Sequence, residues 1–169
     1  MSDGGASRTI DAISIGIGRA TAWLTLSMVI LTLAIVVMRY AFGTGLIWMQ
    51  ESLAWMHGAV FMLGAAYTLQ ADQHVRVDIF YRSMSDSRRA WINLFGVLLF
   101  VFPLCAYLVI ESFGYVSSSW SIGEISRDAG GLPYPAIPLL KSLLLLMPLT
   151  VSLQGLSLLL QSLRTIRSN

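Results

Sequence analysis

The sequence predicts an all-α integral membrane protein: four transmembrane helices, both termini cytoplasmic, and a short amphipathic cytoplasmic helix between spans two and three. Three observations carry this. Charge-free stretches run for 19 residues between Arg19 and Arg39, 19 from Leu53 to Ala71, 21 from Ala90 to Ile110 and 22 from Ser142 to Leu163. An apolar stretch of about 18 or more residues is long enough to cross the hydrocarbon layer as a helix. Composition agrees, with 56% of residues hydrophobic and 12% charged, about half the charge of an ordinary soluble domain. The basic residues are distributed unevenly among the connections, and this sets the orientation.

The first span is expected over residues 17–41. Its apolar run exceeds that of a secretory leader, and Asp3 and Asp11 spoil the positive start such a leader needs. No small-residue cleavage site follows before Arg39, so the span is read as uncleaved. The second span, 47–71, follows a short connection with Gly43 and Gly45, which makes spans one and two antiparallel neighbours. Between Asp72 and Arg89, Val77, Phe80 and Met84 share one helical face while Asp78 and Arg82 form an i,i+4 pair on another. That pattern predicts the amphipathic helix lying along the headgroups. Ser85, Asp86 and Ser87 offer N-cap oxygens to the third span, 90–113.

The segment 114–138 is expected as an external loop, because Ser117–Ser119, Gly130, Gly131, Pro133, Pro135 and Pro138 favour irregular structure. Tyr115, Trp120 and Tyr134 suit the outer interface, where aromatic rings collect. The fourth span is 139–163. Pro103 and Pro148 each remove one helical hydrogen bond and are read as sources of ordinary curvature. The chain, 1–169, reads as one membrane domain. Eight basic residues (Arg8, Arg19, Arg76, Arg82, Arg88, Arg89, Arg164, Arg167) fall on the side of the termini and three (Arg39, Arg127, Lys141) on the other. Both termini are therefore placed inside.

Several classes of function are disfavoured. A net charge of +2 without clustering does not suit nucleic-acid binding. Cys105 is the single cysteine, so no intramolecular disulfide or thiol pair is available. It reads as a small apolar filler. Gly130-Gly131 precedes Leu-Pro and is a turn, not a phosphate-binding loop. No nucleophile–base set appears, and no enzyme is expected. His57 and His74 lie 17 residues apart on one expected helix, about 25 Å along its axis, too far to ligate one haem. His57 is expected as a hydrogen-bonded interior residue and His74 at the cytoplasmic interface. No cofactor or metal is expected on this chain.

The outer ends of the spans hold Arg39, Glu51, Glu111 and Lys141. Glu51 is the most informative, because an unpaired carboxylate at that depth costs a few kcal/mol and must find a partner. Its readings are a helix-terminal salt bridge to Arg39, a contact to another subunit, or a proton or ion site. Trp48, Ala54, Trp55 and Gly58 surround it on the helix. Ala54 and Gly58 form a small-xxx-small pair that lets another helix approach, as do Gly18 and Ala22. The spans show few interior polar groups and none of the paired polar positions or broken helices of a midplane substrate site.

From Met38 to Asp78 the chain resembles the small membrane subunit of tripartite ATP-independent periplasmic (TRAP) transporters. The resemblance rests on Arg39-Tyr40 closing span one, Trp48 and Glu51 opening span two, Gly64-Ala65, and His74-Val75-Arg76-Val77-Asp78. Many relatives carry two adjacent acidic residues after the Trp, whereas here Gln50 precedes Glu51. The stretch from Glu124 to Pro133 looks like a subgroup feature. The resemblance implies a scaffold subunit in the bacterial inner membrane. Its partners would be a large membrane subunit, which holds the organic-acid and sodium sites, and a periplasmic substrate-binding protein. The alternatives from other classes are a membrane anchor of a respiratory complex and a self-sufficient small transporter.

Overall fold

The computed structural model describes residues 3–73 and 84–168. The expected amphipathic helix around Val77 and Phe80 lies outside the described residues, as do His74 and Asp78. Four helices form the molecule: α1 (Asp3–Phe42), α2 (Ile47–Gln70), α3 (Asp86–Ser121) and α4 (Ala136–Ser168). Each is long and apolar enough to cross a membrane, and no strand occurs among the described residues. α4 packs against all three others, α1 and α2 pack on each other, and α3 rests on α4.

The helix ends follow from local chemistry. At the end of α1, Gly43 adopts a left-handed φ of 64° and Thr44 N–H returns to the Met38 carbonyl at 3.1 Å. That reversal brings α2 back alongside α1, as the short connection predicts. α3 begins after Ser85, which supplies no side-chain cap, contrary to the capping expectation. Its last turn closes in a Schellman motif. Gly123 stands at φ 60°, its N–H reaches Trp120 O at 3.2 Å, and Glu124 N–H reaches Ser119 O at 3.1 Å.

Two boundaries are corrected by this geometry. The helix through the third span continues to Ser121, and the external loop is 122–135 instead of 114–138. The serines taken as loop formers, Ser117–Ser119, lie inside the helix. Ser119 is buried, and the Ser118 carbonyl accepts the Ser121 hydroxyl at 2.8 Å. α1 likewise extends well before residue 17; its 40 residues span about 60 Å, twice the hydrocarbon thickness.

Packing is tightest where small residues face large ones. A Cβ on Gly155 of α4 would lie 3.3–3.4 Å from Phe102, Val101 and Val97 of α3, and one on Gly58 of α2 would lie 3.1 Å from Leu140. Ala54, the other half of that small pair, is exposed. Residues Val97–Val101 form a π turn. It lies where Pro103 lacks an N–H and its ring crowds the carbonyl four residues back, so a wider turn relieves the conflict. Cys105 is buried, and Pro148 is fully buried inside α4.

The expectation of few interior polar groups fails at the end that carries the termini. There Asp11 Oδ1 accepts from Gln154 Nε2 (2.9 Å) and Ser157 Oγ (2.8 Å), and its Oδ2 from Gln161 Nε2 (3.1 Å). Ser14 Oγ donates to Gln154 Oε1 at 2.7 Å, and the Ser7 and Ser157 hydroxyls meet at 3.0 Å. Residues 7, 11 and 14 of α1 and 154, 157 and 161 of α4 thus form one polar seam. Side-chain hydrogen bonds of this kind hold helices together where lipid removes the hydrophobic drive.

Candidate functional site

At the opposite end, the loop 122–135 is fastened to three helices. Glu51, in the first turns of α2, points into it. Its Oε1 accepts the Ser126 hydroxyl, and its Oε2 accepts the backbone N–H of Leu132 at 2.6 Å. Gly131 makes this possible. A Cβ there would stand 2.6 Å from Ser126 Cβ and 2.7 Å from Glu51 Oε1. Preceding it, Gly130 has a φ of 81° and Gly131 N–H bonds Asp128 O at 3.0 Å, the turn expected of Gly-Gly.

A second carboxylate anchors the loop to α3 and α4. Glu124 Oε2 accepts from Lys141 Nζ at 2.5 Å and from Ser119 Oγ at 2.6 Å. These bonds, Lys141 first and Ser119 second, hold the Glu124 carboxyl below the ordinary carboxylate range. Lys141 Nζ also sits 3.9 Å above the Tyr115 ring, a cation–π contact. Both partners of the ion pair are mostly sheltered, with 16% and 20% of their side-chain surface exposed. Two indoles complete the cap. Trp55 Nε1 donates to Ala136 O at 3.0 Å, and Trp120 Nε1 donates to Ser142 Oγ at 2.9 Å. Trp120 also meets Tyr134 edge-on at 6.3 Å.

Chemically, this arrangement holds and does not turn over. Both oxygens of Glu51 and Oε2 of Glu124 accept from fixed donors of the same chain. Among the described residues no group of His, Cys, Asp and Glu is placed to hold a metal ion. A family model described as tripartite ATP-independent periplasmic transporters, DctQ component, matches residues 28–165. This chain belongs to the DctQ family. No curated protein and no solved structure matches it. As a DctQ component the chain is a small membrane subunit of a TRAP transporter and a multi-pass membrane protein, not an enzyme.

The residues singled out in the sequence fall in different places in this DctQ subunit. Glu51 is not paired with Arg39; its oxygens are taken by the loop, and Arg39 and Tyr40 are exposed at the end of α1. The short Gly43–Gly45 turn leaves Arg39 on the outside of the hairpin, with its guanidinium 3.9 Å from where a Gly45 Cβ would sit. Trp55, four residues after Glu51 on α2, bonds α4, whereas Trp48 is half exposed. Gly58 meets α4, and Gly64 lines a cleft between α1 and α2. His57 is exposed and not interior. Glu124 and Ser126 were not singled out. The signal available was Gly123 as a helix-ending glycine, which would have placed Glu124 back over Ser119.

Proposed function

We propose that this subunit is a rigid scaffold. It braces the large membrane subunit of a TRAP transporter that imports organic acids with an ion gradient, with sodium and substrate bound by the large subunit. The observation that supports this most is continuity. All four spans are unbroken helices, interrupted only by the π turn of α3, and secondary transporters place their sites at helices broken near the midplane. With the basic residues concentrated at the end carrying the termini, that end lies in the cytoplasm of a bacterial inner membrane. The loop 122–135 then faces the periplasm. Its exposed Ile122, Ile125 and Tyr134 offer apolar surface to the substrate-binding protein. Arg39, Tyr40 and Trp48, exposed around the same end, are assigned to subunit contacts.

Reconstitution tests the assignment. Liposomes containing the chain alone take up no organic acid. Liposomes containing it with the large subunit do so when binding protein and a sodium gradient are supplied. Flux through the isolated chain overturns the scaffold reading. Photo-crosslinkers at Ile125 and Tyr134 are expected to capture the binding protein; capture of the large subunit alone removes that contact.

A further inference from the structure

A cleft runs along the seam of α1 and α2. Its larger part, about 590 Å³, is walled by Ala22, Val60, Phe61, Gly64 and Ala65, with Met147 of α4 behind. A second part of about 330 Å³ continues toward the end carrying the termini and is bounded by Ile15, Arg19 and Gln70. Gly18, Ala22 and Tyr67 belong to both parts.

The sequence explains why helices that touch leave such a space. Small residues on both faces supply no side chains to fill it, and nothing lies within 4 Å of where a Gly64 Cβ would sit. The Tyr67 ring occupies the position a Gly18 side chain would need, so it stands at the junction of the two parts. Three threonines line the wall, yet each hydroxyl is spent on its own helix. Thr21 donates to Gly18 O, Thr25 to Thr21 O and Thr68 to Gly64 O. A guest therefore meets an apolar wall. At the mouth, Arg19 is exposed and has no hydrogen bond or ion pair with any described residue.

We propose that the cleft binds one anionic phospholipid, with an acyl chain along the α1–α2 seam and the phosphate on Arg19. A basic group at the mouth of an apolar space between membrane helices is complementary to an anionic headgroup and its tail. A partner helix fits less well. It needs a straight groove with axes about 8–10 Å apart, and here the Tyr67 ring divides the space, which a flexible chain can pass. The inference goes beyond the scaffold assignment and does not depend on it, because the lipid contacts come from this chain alone.

Native mass spectrometry of the full chain, delipidated in detergent and titrated with phosphatidylglycerol or phosphatidylcholine, tests it. One phosphatidylglycerol is expected to be retained at least 5-fold better than phosphatidylcholine, and soluble glycerol phosphate does not displace it. Arg19→Gln removes the preference while leaving tail binding. Gly64→Phe fills the cleft and lowers retention of both lipids, with helicity by circular dichroism confirming that each variant is folded. Equal retention of the two lipids by the unmodified chain, or an unchanged preference in Arg19→Gln, overturns the proposal. A photo-crosslinker at Ala22 in whole membranes gives the remaining check. Lipid adducts support the site, and capture of a protein helix overturns it. Co-purification with the large subunit, measured separately, reports on the scaffold role whichever way the lipid result falls.

Discussion

Glu51 shows how a residue can be recognised as important while its partner is misassigned. Its place near the start of a span demanded a partner, and that much was readable from depth alone. Choosing Arg39 rested on sequence proximity across the hairpin, but the donors came from Ser126 and Leu132, about 80 residues downstream. No local pattern encodes that. Glu51→Ala leaves the Leu132 N–H without its acceptor on α2. It should lower the thermal midpoint in detergent and open residues 122–135 to protease. Gly131→Ala should reproduce the effect with Glu51 intact, because the added Cβ meets the Ser126 side chain and the Glu51 carboxylate, and overpacking costs about 1–3 kcal/mol. An undisturbed loop in both variants would show that the cap is not held this way. Glu124 adds a pH dependence. Its carboxyl is depressed in the folded state, so its contribution is complete above the unfolded value of about 4.3 and is lost as pH falls into the depressed range. Loop protection in hydrogen exchange should hold from neutral pH to about 5 and fall below about 4. Glu124→Gln should flatten that acid limb.

At the level of helices, hydropathy located all four spans, since crossing lipid constrains sequence so strongly. It misjudged their ends, because a polar helix end and a polar loop have the same composition. Ser117–Ser119 remained helical since the turn was set by Gly123, and the Ser119 hydroxyl found an acceptor in Glu124. The polar seam of α1 and α4 was missed for another reason. Its members lie about 150 residues apart in the chain, and each alone reads as an isolated Ser, Asp or Gln near a cytoplasmic end. A double-mutant cycle on Asp11→Ala and Gln154→Ala should return a coupling of about 0.6 kcal/mol or more by reversible unfolding in mixed micelles. Zero coupling would reduce the seam to bystander contacts. Gly155→Leu should part α3 from α4 and destabilise by about 1–3 kcal/mol, as overpacking does.

For the molecule as a whole, length, charge bias and the Arg39–Asp78 pattern pointed to the family that the match over residues 28–165 shows. What the sequence did not reveal was the division of labour between the two ends. One is fixed by the polar seam and the other by the capped loop, and most of the lipid-facing surface between them is apolar and open to partners. Such a body resists deformation at both interfaces, which suits a subunit that holds a moving neighbour. On this reading, destabilising the cap should reduce uptake by the assembled transporter without changing which substrate it prefers. A changed substrate ranking in Glu51→Ala would contradict it.

The central position of α4 has a consequence for biogenesis. Among the described helices it is the main one that α3 rests on and the one that joins both halves, yet it is the last of the four to be synthesised. Until it inserts, Asp11 lacks its amide donors, Glu124 lacks Lys141, and Gly58 faces lipid. The nascent chain must wait in the bilayer as a loose hairpin and a lone span. Quality-control proteases would then find their substrate in chains stalled before residue 136, and maturation would be a single late docking event.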